Sequence, residues 1–246
     1  MHMFRVLFSY FLLVHILGDF YFQSDKLAEK KRSSYKYVLL HGLIYLMVSL
    51  LCTLFFWSLP VLLSAGILSV FHWLVDSIKY LYLKKGKKEQ NASLYITDQL
   101  IHLGCMAVVS SLFLYMGFEF TVSDRVNDIA YATLISPFAV LQWASLILMM
   151  VKPANITIKQ LINKYKPRED TLFNTSKTGA LIGALERIIM LLFLSVGQYA
   201  AIGLVLTAKS VARYNKIAED KNFAEYYLLG TLLSVLFAIG TFFIFK

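Results

Sequence analysis

VLLSAGILSVFHWLVDSIKYLYL, residues 61–83, sets a histidine, an aspartate and a lysine inside an otherwise apolar run of membrane-spanning length. A helix needs about 20 apolar residues to cross the hydrocarbon of a bilayer. Pro60 before the run and Lys84 and Lys85 after it mark its two ends. Ionisable side chains at such depth cost several kcal/mol each unless they are paired, metal-bound or wetted. His72 and Asp76 are four residues apart and therefore share a helix face. The same spacing recurs in two other apolar runs, as His15 and Asp19 in HILGD and as Asp98 and His102 in DQLIH.

The rest of the chain is built like this stretch. Of 246 residues, 58 % are hydrophobic and only 16 % charged, and mean hydropathy is +0.63. Such a composition excludes an ordinary soluble domain. The formal net charge of +9 comes from lysines and arginines clustered between apolar runs. That is the pattern of loops facing anionic lipid, and no nucleic-acid-binding module is present. Cys52 and Cys105 lie inside apolar runs and form no disulfide framework or CxxC motif. GxGxxG, Walker, GxSxG and HExxH motifs are all missing, which leaves nucleotide-driven pumping and serine or zincin chemistry without support.

Apolar length predicts an all-α, polytopic transmembrane helix bundle of about seven spans, near Met3–Gln23, Tyr37–Ser58, Val61–Leu83, Ser93–Phe118, Ile129–Val151, Gly179–Thr207 and Phe223–Phe245. Segments 24–36, 84–91 and 152–177 are basic, the first through Lys26, Lys30, Lys31, Arg32 and Lys36, the second through Lys84, Lys85, Lys87 and Lys88. The positive-inside rule then places these three loops in the cytoplasm and the amino terminus outside. Segment 208–222 breaks the alternation by carrying Lys209, Arg213, Lys216 and Lys221. Gly197 and Gln198 interrupt the long run before it, so a broken or re-entrant hairpin would return that loop to the cytoplasm. ITIKQLINKY, residues 156–165, spaces Ile158, Leu161, Ile162 and Tyr165 as the apolar face of a short helix, either lying in the cytoplasmic interface or plainly connecting two spans. Three segments result: 1–151, a five-helix membrane domain carrying the histidines and aspartates; 152–178, a basic linker with the amphipathic helix; and 179–246, the C-terminal membrane helices.

At about 1.5 Å of rise per residue, the alternating helices bring His15, Asp19, His72, Asp76, Asp98 and His102 into one layer beneath the cytoplasmic surface. His41 opens the second span at the same height. Imidazole and carboxylate together suit a divalent transition metal, zinc, manganese or iron, better than calcium. Three of each exceed the needs of one tetrahedral ion, so one or two ions are expected. Gln23 follows Asp19 by a further turn and Gln99 adjoins Asp98, placed to fix a ligand or polarise a substrate oxygen. Lys79, one turn beyond Asp76, either snorkels to the interface or holds a phosphate. Glu186, Arg187, Lys209, Arg213 and Glu225 form a second polar set, in which Glu186 and Arg187 either bridge helices, the favoured reading, or close the metal site with charge.

His15–Asp19–Gln23, His72–Asp76–Lys79 and Asp98–Gln99–His102 together resemble the motifs of a family of bacterial integral-membrane proteins of unknown function. GLVLTAKSVARYNKI and AEYYLLGTLLS, residues 203–217 and 224–234, are similar to that family's longer members. A looser resemblance, to membrane-bound metal-dependent hydrolases, implies a hydrolase, although the tandem-histidine and threonine-rich motifs of that group are missing. The expected function is hydrolysis of a membrane-associated small molecule or lipid, a lipid or isoprenoid phosphoester first. Transport of divalent metal ions or protons is the alternative, and a non-catalytic membrane scaffold or sensor the third.

Overall fold

A computed structural model describes residues 2–86, 91–166 and 177–245; Lys87 and Lys88 fall outside the described residues. Its regular elements are helical, and seven are long and apolar enough to cross a membrane. The chain is therefore an all-α, multi-pass membrane protein. It divides into two compact units, Met1–Ser145 and Leu146–Lys246, with the division inside one helix.

The first unit contains α1 (His2–Ile16), α2 (Asp25–Ser33), α3 (Tyr35–Thr53), α4 (Leu59–Gly86), α5 (Ala92–Tyr115), α6 (Asp124–Thr133) and the start of α7 (Pro137–Ile162). The first span is the axis: 61 % of its apolar stretch is buried, against 33 % for α3, α4 and α5. Their outer faces expose Leu43, Met47, Leu51, Leu63, Ile67 and Leu100, an apolar belt suited to lipid. Inside, Tyr10, Phe11, Phe56 and Phe120 are buried at one end of the bundle, with Phe56 stacked on Phe120 at 4.9 Å. His15, Asp19, His41, His72, Asp76, Asp98 and His102 occupy the other end.

Local chemistry explains where helices begin and stop. Ser24 caps α2 by accepting from the Leu27 amide at 3.2 Å, and Asn91 caps α5 by accepting from Leu94 at 2.8 Å. The first span does not run on to Gln23 as an α-helix. It passes after Ile16 into a π-helical turn, Leu17–Tyr21, with Phe22 N donating to Leu17 O at 2.8 Å. Gln23 thus leaves the helical face of Asp19. The fifth span starts at Pro137, not Ile129, because Leu134 turns left-handed (φ 57°) and Pro137 is pre-set for a helix start. Residues 129–133 belong instead to α6.

The second unit holds the rest of α7, then α8 (Lys177–Ser195), α9 (Tyr199–Val211), α10 (Tyr214–Glu219) and α11 (Lys221–Phe245). ITIKQLINKY is helical, but it continues α7 into a 3₁₀ turn, Asn163–Tyr165, instead of standing apart as an interfacial helix. Pro153 does not end α7. Proline removes one helical donor, and the Arg187 Nε donates to Met150 O at 2.7 Å beside the disrupted turn. The 179–207 run is broken at Gly197, whose φ of +74° suits glycine. Lys209 of α9 then lies 2.6 Å from Glu186 of α8, so the two helices form a hairpin. Segment 208–222 returns to the end where α8 begins.

Candidate metal centre

The first unit brings all ten candidate side chains into a connected network. Asp19 sits on the π turn, His41 is the seventh residue of α3, Asp76 lies ten residues before the end of α4, and Asp98 is the seventh of α5. Four antiparallel elements of that phasing put their polar groups at one height. His15, His41, His72, Asp76, Asp98 and His102 are each no more than 6 % exposed.

At the centre, His41 Nε2, His72 Nε2 and Asp19 Oδ1 form a triangle with edges of 2.9, 3.0 and 3.1 Å. Asp76 Oδ2 is 3.5 Å from both imidazole nitrogens. Donor atoms held about 2.0–2.1 Å from one zinc lie roughly 3.0–3.5 Å from one another, so these spacings match a shared ion. Two Nε2 atoms 3.0 Å apart need a proton or a cation between them. A second group lies alongside: His102 Nε2 and Asp98 Oδ1 are 3.8 Å apart, buried, and without a hydrogen-bond partner among the described residues. Buried polar atoms are ordinarily satisfied, and one cation between these two would satisfy both.

His15, His72 and His102 form one group whose ligand atoms lie within 4.8 Å of one another; Asp19, His41 and His72 form another; Asp76, Asp98 and His102 form a third. The buried His/Asp cluster could therefore hold a metal ion, and its nitrogen/oxygen chemistry fits a divalent transition metal. The sign of the cluster's net charge agrees. Three carboxylates face two ammonium groups, Lys31 and Lys79. With neutral imidazoles, one negative charge is left over for a cation.

The polar residues beside the cluster orient it. Gln99 Oε1 lies 3.2 Å from His15 Nε2 while its amide donates to Asp98 Oδ2 at 3.4 Å. Gln23, bent away from the helix, accepts from Lys31 Nζ at 3.1 Å. Lys79 does not snorkel: its ammonium donates to Asp98 Oδ2 at 2.7 Å and its side chain is 16 % exposed.

Three contributors escape a reading by spacing. Lys31, counted as one loop charge among several, reaches back from α2 to donate to Asp76 Oδ2 at 2.8 Å. Burial works against that charge, yet the carboxylates of Asp76 and Asp19 hold the Lys31 pKa above its ordinary value. Tyr45, an unremarked aromatic of an apolar span, stacks on His72 at 3.9 Å with its ring nearly parallel. Gly18 lets it approach, and a glycine between His15 and Asp19 was the visible signal. Of the second polar set, Arg187 and the Glu186–Lys209 pair bridge helices within the other unit. Arg187 donates to Met150 O, Ser234 Oγ and Asn155 Oδ1 at 2.7, 3.2 and 2.5 Å.

Fold and site together define an all-helical membrane protein with a buried histidine–aspartate centre. Residues 7–130, half of the chain, match the family described as "Protein of unknown function (DUF3307)", and the chain belongs to that family. All ten candidate residues fall inside the matched range. No curated protein and no solved structure matches the chain.

Proposed function

We propose that this chain is a metal-dependent hydrolase of the bacterial cytoplasmic membrane, acting on a membrane-associated phosphoester of a lipid or isoprenoid. The observation that carries the proposal is the triangle of His41, His72 and Asp19, with edges near 3 Å inside a membrane-spanning unit. Asp76 Oδ2 faces that triangle and also belongs to the group with Asp98 and His102, which shares no residue with it. Asp19, His41 and His72 would hold one ion, and Asp76, Asp98 and His102 a second. When bound, such ions supply Lewis acidity and a water acidic enough to attack near neutral pH.

The chain's own residues then divide the work. Gln99 fixes the orientation of His15, and Lys31 with Gln23 borders Asp76 on the side of α2. Lys79 offers an ammonium to the phosphoryl oxygens, where charge builds as the bond to the lipid alcohol breaks. Transport fits less well. Beyond the cluster the buried polar side chains of this unit are hydroxyls, among them Ser49, Thr53, Ser69 and Ser110, with no buried carboxylate or imidazole among the described residues, and Tyr10, Phe11, Phe56 and Phe120 are packed at the far end.

The test is release of inorganic phosphate from phosphatidic acid or an isoprenyl phosphate by the detergent-purified full chain. We expect chelation to suppress release, and Asp19→Asn to lower it by about a hundredfold or more. A metal-loaded chain that releases no phosphate from either substrate contradicts the hydrolase reading. Cation uptake by proteoliposomes would favour the transporter instead.

A further inference from the structure

A cleft of about 670 Å³ opens between α4 and α5, and Lys79 and Asp98 are part of its wall. Its lining is graded along the helices. Asn91, Ser93 and Thr97, with the Lys79–Asp98 pair and one apolar neighbour, Leu94, lie toward the lysine-rich end; Val75, Ile78 and Ile101 lie deeper. By helical rise, the Lys79–Asp98 pair sits roughly 10 Å inside the ends of α4 and α5. Hydrocarbon gives way to headgroups near that depth, because the apolar core of a bilayer is about 30 Å of a total 40–45 Å. The cleft also opens sideways along its length: Ile78, Tyr82 and Ile101 are 66, 48 and 45 % exposed on faces of membrane-spanning helices.

We infer that this cleft is a lateral binding site for one lipid with a phosphate head, drawn from the leaflet at the lysine-rich end. The polarity gradient has the sense of a lipid in that leaflet, head toward the polar rim and chain along Val75, Ile78 and Ile101. The volume lies within the roughly 300–1,000 Å³ of small-molecule sites and takes the head and upper chain, the remainder staying in the bilayer. Charge selects the head. An ammonium has three donors, and the bond to Asp98 uses one of those on Lys79. Lys84 and Lys85 follow on the same helix and raise the local concentration of anionic lipid. Choline heads, which carry a compensating cation, lack that attraction. The inference deepens the hydrolase reading and rests on it for its purpose: a lipid held here has its phosphate at the edge of the His/Asp cluster.

The experiment is native mass spectrometry of the detergent-purified full chain with dioleoyl phosphatidic acid, dioleoyl phosphatidylcholine or inorganic phosphate, with metal content measured on the same samples. We expect one phosphatidic acid per chain, held about tenfold or more tighter than phosphatidylcholine. Ile101→Trp and Ile78→Trp, which fill the deep end, should each weaken it by a similar factor. Leu232→Trp, on an exposed position of the other unit, should not. Equal retention of both lipids, indifference to both cleft substitutions, or displacement of lipid by an equal concentration of inorganic phosphate would overturn the site. A chain that discriminates the lipids but carries no metal sustains the cleft and removes the hydrolase reading. A metal-loaded chain without discrimination removes the cleft alone.

Discussion

At Gly18 an added Cβ would meet Tyr45 Cδ2 at 2.6 Å, and Tyr45 is 3 % exposed with its ring stacked on His72. Gly18→Ala should therefore push the ring off the histidine and cost about 1–3 kcal/mol, the usual penalty of overpacking. In a double-mutant cycle with Tyr45→Ala, the two losses should be less than additive; strict additivity in detergent unfolding would mean the residues do not communicate. Lys31 makes a sharper case, because its ammonium and the triangle compete for the same oxygen, Asp76 Oδ2. Lys31→Met leaves a buried carboxylate unpaired, a loss of about 3–5 kcal/mol when no metal is bound. Zinc should then restore more stability to the variant than it adds to the native chain. Equal zinc-induced shifts of Tm in the two proteins would show that Lys31 and the ion do not compete.

Among the elements, α8 and α9 make the clearest topological statement. Lys209 beside Glu186 folds the hairpin back, which brings the basic 208–222 segment to the end where α8 starts. Single cysteines at Lys164 and Asn215, in a chain with Cys52 and Cys105 replaced by serine, should react with an impermeant maleimide from the same side of the membrane. Labelling from opposite sides would break the hairpin reading. Arg187 ties α7 and α11 to α8 through three hydrogen bonds to neutral acceptors. Bonds from a charged donor are worth about 1.5–3 kcal/mol each, and they share strain and solvation, so Arg187→Ala should lose about 2–4 kcal/mol. Metal content should be unchanged, since the ligands belong to the other unit. Span length and helix class were legible in the apolar runs because a bilayer demands about 20 apolar residues whatever else the sequence does. The ends were less so. The start of α7 is decided by Leu134 and Pro137, and the end of the first span by a π turn whose i→i+5 bond leaves no periodic trace.

For the molecule as a whole, we propose that one end of the first unit is built to hold a cation. The sequence made the six paired residues and His41 legible because each is costly in hydrocarbon and four-residue spacing fixes their faces. It left Lys31, Tyr45 and the bend at Gln23 unread, since a loop lysine, a span aromatic and a glutamine have ordinary explanations where they stand. What spacing cannot convey is convergence, and the 2.9–3.1 Å triangle supplies it. Metal quantification by mass spectrometry on the full chain, purified in detergent without chelator, tests this most directly when run beside His72→Ala. We expect about one to two equivalents of a divalent transition metal in the native chain and a loss of at least one in the variant, with its helical content intact. A well-folded native chain with no metal, or a variant with the same metal content, would contradict it.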